Sequence, residues 1–263
     1  MVQDRENWLV SYPDDGNEVC YALEDSSFWY QHRNECIVGA AREFDFSRQF
    51  YDIGGGNGVT AQALQRAGYD VTLVEPYRAG IENARRRGIQ KTVLSTLEDY
   101  RPDPTDTIES VGFFDVMEHV EDDRDFLREI NKLLQSDGKI LFTVPAFSAL
   151  WSDNDVQLGH FRRYNLGQID ELLRETGFEP IHKTYFFALA WLPMWLLRVL
   201  PNRIGIRQQN TPAKKKSEHM ANRPVLTKML RKLMSWEIGF IKGRRIIPFG
   251  TSCLVIARKK RNP

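Results

Sequence analysis

A glycine-rich turn at residues 54–58 constrains the fold of this chain more than any other segment. It joins Gln49–Ile53, an apolar run typical of a buried strand, to a stretch of helical spacing that closes at Gly68. Glycine has no Cβ and lets the backbone approach a ligand closely, and the helix that follows offers free N–H groups at its start. The segment therefore predicts a ligand-binding turn at the carboxyl end of a strand.

The same alternation of strand and helix continues along the chain. Further strands are predicted at 70–74, 91–95, 110–114, 139–144, 178–187 and 252–257. Helices are predicted at 28–44, 59–67, 79–87, 124–134, 166–176 and 225–241. Strands that alternate with helices of this length indicate an α/β fold, with a doubly wound, Rossmann-like parallel sheet covered on both faces.

Cysteine content and hydropathy favour a cytoplasmic protein. The three cysteines are odd in number and lack C-x-x-C spacing, so we predict neither a disulfide framework nor a metal site. We also predict no secretory leader, because the N-terminus lacks an apolar run. The most apolar stretch, 185–200, is shorter than the ~20 residues that a membrane span needs, so no transmembrane helix is expected.

Charge is distributed unevenly along the chain. From Arg198 onward, 17 lysines and arginines stand against two acidic residues, whereas the rest of the chain carries 19 basic and 33 acidic residues. Two interpretations remain open. The basic region either contacts an anionic partner, such as a membrane to which the protein binds peripherally, or forms a solvated face against the acidic part of the chain.

The spacing of the glycine turn separates two classes of cofactor. Asp52, Gly54, Gly56 and Gly58 form a D-x-G-x-G-x-G pattern, whereas the dinucleotide fingerprint G-x-G-x-x-G would place its third glycine at Val59. A pyrophosphate needs anion-binding N–H groups. S-adenosylmethionine has no phosphate, and its ammonium group favours a nearby acid such as Asp52. The pattern therefore favours S-adenosylmethionine.

A second acidic residue supports this interpretation. Glu75 lies at the carboxyl end of the second predicted strand, where a carboxylate can accept hydrogen bonds from both ribose hydroxyls. The alternative is an ordinary glycine-rich turn beside a solvated glutamate.

Residues 50–144 resemble a class I S-adenosylmethionine-dependent methyltransferase of the broad small-molecule branch. Segment 52–58 is similar to the first motif of that family, 71–76 to its second strand and ribose-binding acid, and 113–120 to its fourth strand with an E-H-V run. The resemblance implies a seven-stranded sheet with the last strand antiparallel, and it implies these cofactor-binding residues: Asp52, Gly54, Gly55, Gly56, Gly58, Glu75, Pro76, Thr96, Leu97, Phe114 and Asp115. The aspartate that usually follows the third strand is missing, and Thr96 and Leu97 stand in its place.

Residues 150–164 follow the fifth predicted strand, where strand ends open onto a ligand crevice. This segment contains a run of the form D-x-x-x-G-H-x-R-R-Y that resembles a subgroup signature. Its predicted substrate-binding residues are Asp155, Arg162, Arg163 and Tyr164, with the arginines suited to a phosphate or carboxylate. His160 is a predicted general base. The alternative is a polar network that only braces the loop.

His119 is the second catalytic candidate, because it follows the fourth strand. A capping or orienting role is the alternative. Trp29 and Arg33 belong to an F-W-x-x-x-R stretch that the subgroup resemblance places over the cofactor, as a lid that excludes water. An aromatic helix face without contact to the cofactor is the alternative to the lid.

We therefore divide the chain into four segments: a helical lid at 1–47, a cofactor-binding core at 48–187, an apolar and basic helical insertion at 188–248, and a final strand with a basic tail at 249–263. The insertion either caps the acceptor site, forms a dimer contact or lies on a membrane.

The predicted function is methyl transfer to a hydroxyl, amine or carbon of a small acceptor that is anionic or linked to a lipid or sugar. A non-catalytic cofactor-binding scaffold and an NAD-dependent oxidoreductase are the alternatives. Nucleic acid is disfavoured as an acceptor, since the chain lacks both a D/N-P-P-Y run after the fourth strand and a Pro-Cys pair.

Overall fold

The computed structural model describes Tyr21, Glu24, Asp25 and residues 27–203 and 224–261. Seven strands form one sheet: β1 Gln49–Ile53, β2 Asp70–Glu75, β3 Lys91–Leu94, β4 Ser110–Phe114, β5 Lys139–Pro145, β6 Phe178–Phe186 and β7 Ser252–Lys259. Their order is β3-β2-β1-β4-β5-β7-β6. Strands β1 to β5 pair in parallel, whereas β7 runs antiparallel between β5 and β6. The predicted fold class, including the antiparallel last strand, is confirmed.

Helices cover both faces of this sheet. They are α1 Phe28–Glu43, α2 Val59–Arg66, α3 Arg78–Arg86, α4 Asp123–Leu133, α5 Asp153–Gln157, α6 Leu166–Glu175 and α7 Pro224–Lys242. All but α5 were predicted to within two residues at each end. The α5 helix was not predicted, because it has no apolar periodicity. A capping box between Ser152 and Asp155 marks its start.

Two apolar cores lie on opposite faces of the sheet. One contains Tyr51 and Ile53 with the apolar faces of α4 and α6, and the other contains Phe50 with the faces of α1, α2, α3 and α7. Successive side chains of β1 thus enter different cores, as the two-residue period of a strand requires. The strand ends between these layers are where the polar side chains of the predicted site converge.

The predicted helical insertion begins with short helical turns, namely Ala188–Ala190, Trp191–Met194, Trp195–Val199 and Leu200–Arg203. It continues in α7, which packs on α1. Several large apolar side chains of the insertion are exposed: Leu189, Leu192, Leu196, Met229, Leu233 and Trp236. The basic stretch at 213–217, predicted as an exposed loop, lies outside the described residues. Within the described ranges, no helix has the length and hydropathy needed to span a bilayer.

A buried carboxylate connects the insertion to the rest of the fold. Glu237 of α7 accepts hydrogen bonds from the amides of Phe187 (2.9 Å) and Ala188 (2.7 Å). The same carboxylate lies 2.8 Å from His32 Nε2 of α1, and both side chains are fully buried. These contacts fix the insertion against α1 and the end of β6.

Candidate cofactor and acceptor site

The glycine turn adopts the conformation that its sequence requires. Gly54, Gly56 and Gly58 have φ values of +69°, +52° and +78°, in the left-handed region that favours glycine. A Cβ at Gly58 would lie 2.9 Å from the Cβ of Ala84, so α2 and α3 meet closely there. Apart from Gly56 and its two chain neighbours, no described residue has an atom within 4 Å of a Cβ built at Gly56. The turn therefore faces open space at the carboxyl end of β1.

Asp52 places a buried carboxyl group at the end of β1. The side chain is 1% exposed, and neither carboxylate oxygen has a hydrogen-bond partner among the described residues. Burial raises the pKa of Asp52 to about 7, with Arg33 opposing the rise and Glu75 adding to it. A buried carboxylate is costly unless a donor or cation pairs with it. Asp52 is thus suited to a cationic ligand.

Glu75 lies at the end of β2, as predicted, and contacts the glycine turn. Its Oε2 accepts a hydrogen bond from the amide of Gly56 (2.9 Å), and its Oε1 accepts one from the amide of Tyr77 (3.1 Å). Burial raises the pKa of Glu75 to about 7, although both amides oppose the rise. A carboxylate accepts about four hydrogen bonds. The side chain therefore has capacity left for ligand hydroxyls.

Arg33 ties α1 to the strand ends beside the turn. It forms an ion pair with Asp115 and donates a hydrogen bond to Thr60 Oγ1 (2.9 Å), and it is 7% exposed. Asp115 has φ +56° and also accepts a hydrogen bond from Thr143 Oγ1 of β5 (3.0 Å). The structure thus brings Arg33 and Asp115, both predicted site residues, into direct contact.

The other predicted cofactor residues have different surroundings. Trp29 stacks on Phe187, with ring centroids 3.6 Å apart, at the start of the insertion. Phe114 and Leu97 lie in the apolar cores, Pro76 is exposed, and half-buried Thr96 accepts a hydrogen bond from an amide in its own turn. Contact of these residues with a cofactor stays a prediction.

A polar network beside the turn was not found from the sequence. Glu24 is 7% exposed and accepts hydrogen bonds from Asn57 Nδ2 (3.2 Å) and Arg87 Nη2 (2.9 Å). Asn83 Nδ2 donates to Asn57 Oδ1 (3.0 Å). Asn57 belongs to the glycine turn, so this network ties Glu24 and Arg87 to it. Pattern reasoning missed it because the four residues lie far apart in the chain.

Asp155 organises the segment that follows β5. Its Oδ1 accepts hydrogen bonds from Arg163 Nε (2.7 Å) and His160 Nδ1 (2.9 Å), and its Oδ2 accepts one from the Ser152 amide (2.9 Å). Burial acts to raise the pKa of Asp155, but the bonds from His160 and Arg163 lower it overall. Arg163 also donates to the carbonyl of Ala146 (3.1 Å). These contacts favour a bracing role for Asp155 and Arg163.

Arg162 and Tyr164 contact the chain segment after β4. Arg162 pairs with Asp123 (2.8 Å) and donates to the carbonyl of Glu121 (2.5 Å). The Tyr164 hydroxyl donates to the carbonyl of Met117 (3.3 Å), and the ring is 2% exposed. Both side chains are engaged with protein groups, which favours bracing here too. Substrate binding by these four residues stays a prediction.

The two predicted catalytic histidines lie together, although they are distant in the chain. The rings of His119 and His160 meet edge to face with centroids 4.8 Å apart. His119 Nδ1 is buried and has no hydrogen-bond partner within the described part of the chain. Burial lowers the pKa of His119 to about 4, His160 lowers it further and Asp115 opposes this, so the ring is neutral at pH 7.

Glu118 is a third member of this group that the sequence interpretation did not select. The side chain is 1% exposed, and its Oε2 has no partner among the described residues. Burial raises the pKa of Glu118 well above its ordinary value, and Asp115 adds to this. The E-H-V run contains Glu118, but only its histidine was predicted as a site residue.

Comparisons with known proteins identify the family of this chain. A family described as a methyltransferase domain matches residues 39–183. A probable S-adenosylmethionine-dependent methyltransferase of Mycolicibacterium smegmatis is 25% identical over 179 residues, covering 67% of this chain and 69% of that protein. A ubiquinone biosynthesis O-methyltransferase of Vibrio parahaemolyticus is 25% identical over 103 residues, covering 37% of this chain and 44% of that protein.

Solved structures share the fold. Phosphoethanolamine N-methyltransferase 2 of Haemonchus contortus, in complex with S-adenosyl-L-methionine, matches 95% of this chain with a TM-score of 0.58 at 21% identity. The chain spans only 58% of that nematode enzyme. A putative methyltransferase of Haloferax volcanii, bound to the Trm112 activator, matches 95% of this chain and 98% of its own, with a TM-score of 0.59 at 15% identity. The chain therefore belongs to the methyltransferase-domain family, as a class I protein that depends on S-adenosylmethionine.

Proposed function

We propose that this protein transfers a methyl group from S-adenosylmethionine to a small acceptor held beside His119 and His160. The observation that carries the proposal is the buried Asp52 carboxylate at the glycine turn, with both oxygens unpartnered among the described residues. The cofactor, when bound, supplies a methyl group activated by a positively charged sulfur. Asp52 would hold its ammonium group, and Glu75 would accept hydrogen bonds from its ribose hydroxyls.

The surrounding residues order and enclose this site. The pair of Arg33 and Asp115 joins α1 to the end of β4, so the helix closes one side of the crevice. Exclusion of water strengthens the electrostatic contacts that hold donor and acceptor. Alignment of the two reactants meets much of the barrier in such a transfer. Proton acceptance by His119 or His160 stays a prediction, because burial lowers the pKa of His119 to about 4 and makes that ring a weak base.

The insertion supports an amphiphilic acceptor. Its exposed apolar side chains, among them Leu192, Leu196 and Leu233, lie in or next to the part of the sequence that is rich in lysine and arginine. An acceptor with an apolar chain and an anionic group matches both properties. Co-sedimentation with anionic vesicles tests membrane contact, and binding that is absent at every anionic lipid content would contradict it.

Glu75→Ala is expected to weaken binding of S-adenosylhomocysteine by about 1–3 kcal/mol, the scale for hydrogen bonds to a buried charge. Isothermal titration calorimetry measures the change, and circular dichroism checks the fold. Glu82→Ala is the matched control, because that acid is exposed on α3 and should leave affinity unchanged. Equal affinities for the two variants would remove Glu75 from the site.

Binding of S-adenosylhomocysteine is expected to weaken below about pH 7. Asp52 must be ionised to attract an ammonium group, and burial raises its pKa to about 7. Affinity therefore falls by up to ~tenfold for each pH unit below that value. Stability of the cofactor-free protein changes in the opposite sense. Folding raises the pKa of Asp52, so the folded state binds this proton more tightly than the unfolded state does. Protonation of Asp52 therefore stabilises the folded state as pH falls toward about 4, and this stabilisation is lost as pH rises through 7.

Calorimetry and thermal melting between about pH 5.5 and 7.5 test both trends. Affinity that stays constant across this range would contradict the role of Asp52.

The acceptor is tested with labelled S-adenosylmethionine and a panel that contains phenols, amino-alcohol phosphates and lipid-linked forms of each. Formation of a labelled product from one class confirms transfer and identifies that class. Binding of S-adenosylhomocysteine without turnover on any class would favour the scaffold alternative.

A further inference from the structure

Three side chains near the carboxyl ends of β4 and β5 have the chemistry of a metal site. Glu118, His119 and His160 each offer one ligand atom, and these three atoms lie within 4.8 Å of one another. They come from two separate segments, the turn after β4 and the segment after β5, which the sheet brings together. Two imidazoles and one carboxylate are a common ligand set for divalent transition metals.

The orientation of His160 is already fixed for this role. Its Nδ1 lies 2.9 Å from a carboxylate oxygen of Asp155, which is fully buried. A carboxylate accepts, so Nδ1 carries the proton and Nε2 keeps its lone pair. Histidines that bind metals usually donate their second nitrogen to a carboxylate in this way. Arg163 and Ser152 in turn hold Asp155, so the support is itself rigid.

The other two side chains have buried polar atoms without a hydrogen-bond partner among the described residues. Glu118 is 1% exposed, and its Oε2 lacks a hydrogen-bond partner among the described residues. His119 Nδ1 is likewise buried and unpartnered within the described ranges. Buried polar atoms almost always have a hydrogen-bond partner. A single bound ion would satisfy Glu118 Oε2, His119 Nδ1 and the lone pair of His160 Nε2 together.

We propose that Glu118, His119 and His160 bind one divalent transition-metal ion, with Asp155 orienting His160. Three protein ligands leave coordination positions open, as in catalytic rather than structural sites. An acceptor oxygen fits such a position, and coordination lowers the pKa of a bound hydroxyl. This last role rests on the proposed function, whereas binding of the ion does not. Sequence analysis predicted no metal site, because these ligands come from separate segments without metal spacing.

A second cluster in the described chain differs in its carboxylate and in its access. His32, Cys36 and Glu237 also place one ligand atom each within 4.8 Å of the others. There, however, both oxygens of Glu237 already accept backbone hydrogen bonds, from Phe187 and Ala188. All three side chains are fully buried, so no coordination position is open to an acceptor. This cluster serves as the internal control.

The test uses the full-length protein after dialysis against a chelator. Co²⁺ is titrated in, with visible absorption reporting its coordination and calorimetry reporting stoichiometry, and Zn²⁺ is then used to displace it. The proposal predicts one ion per chain. His160→Ala and Glu118→Gln are each expected to weaken binding by at least ~10–100-fold. Cys36→Ser, from the other cluster, should leave it unchanged.

Two results would overturn the proposal: failure of the wild-type protein to bind either ion, or loss of binding in Cys36→Ser with retention in His160→Ala. Thermal melting and binding of S-adenosylhomocysteine are measured on every variant. They show that each variant is folded, and they separate the metal site from the cofactor site. A protein that binds S-adenosylhomocysteine but no ion contradicts the metal proposal alone. One that binds the ion but not S-adenosylhomocysteine contradicts the proposed function alone.

Discussion

Asp52→Asn is expected to lower the affinity for S-adenosylhomocysteine by about 100-fold, or roughly 3 kcal/mol. The substitution keeps the shape of the side chain and removes the charge that would pair with the ligand's ammonium group. Because Asp52 is 1% exposed, solvent screens that pair little. Calorimetry on the purified variant measures the change.

The same substitution is expected to raise the melting temperature of the cofactor-free protein. Wild-type Asp52 is a buried carboxylate whose two oxygens lack partners among the described residues, and that arrangement is costly. A neutral amide reduces the cost. The combination of lower affinity and higher stability distinguishes a binding residue from a structural one.

Asp70→Asn is the control for both measurements. Asp70 is 53% exposed and pairs with Lys91 at the surface, so neither affinity nor stability should change by more than a few tenths of a kcal/mol. Unchanged affinity in Asp52→Asn, or a fall in its melting temperature, would contradict the assigned role.

Gly250→Ala is expected to destabilise the fold by about 3 kcal/mol. A Cβ at Gly250 would lie 2.1 Å from the carbonyl oxygen and 2.8 Å from the carbonyl carbon of Phe186. These are backbone atoms of β6, and Phe186 pairs with Ser252 of β7 two residues later. The overlap cannot be relieved by rotating a side chain. Insertion of β7 between β5 and β6 therefore depends on this glycine.

Gly239→Ala gives the opposite result. Gly239 lies within α7. Apart from its chain neighbours and the nearby backbone of α7, no described residue has an atom within 4 Å of a Cβ built there. Alanine favours a helix by about 0.5–1 kcal/mol over glycine, so this variant should be slightly more stable. Urea unfolding measures both variants, and equal stabilities would contradict the packing described at Gly250.

The sequence predicted the fold closely because local signals carried it. Apolar periods and terminal glycines mark most elements, and their alternation leaves few topologies. The exception, α5, depends on a capping box and has no apolar face. Such a short polar helix has no periodic signal to detect.

The cofactor side was more predictable than the acceptor side. Asp52, the glycine turn and Glu75 lie in a contiguous stretch of one strand-helix-strand unit, so their proximity follows from local structure. The ion pair between Arg33 and Asp115 forms only when the sheet brings distant segments together. The same is true of the group formed by Glu118, His119 and His160. Arg162, predicted to bind substrate, contacts Asp123 instead, which no spacing rule indicates.

Calorimetric titration of the wild-type protein with S-adenosylhomocysteine and, separately, with NAD tests whether the glycine turn holds S-adenosylmethionine. We expect saturable binding of one S-adenosylhomocysteine per chain and no heat of binding with NAD. Binding of NAD without binding of S-adenosylhomocysteine would contradict it.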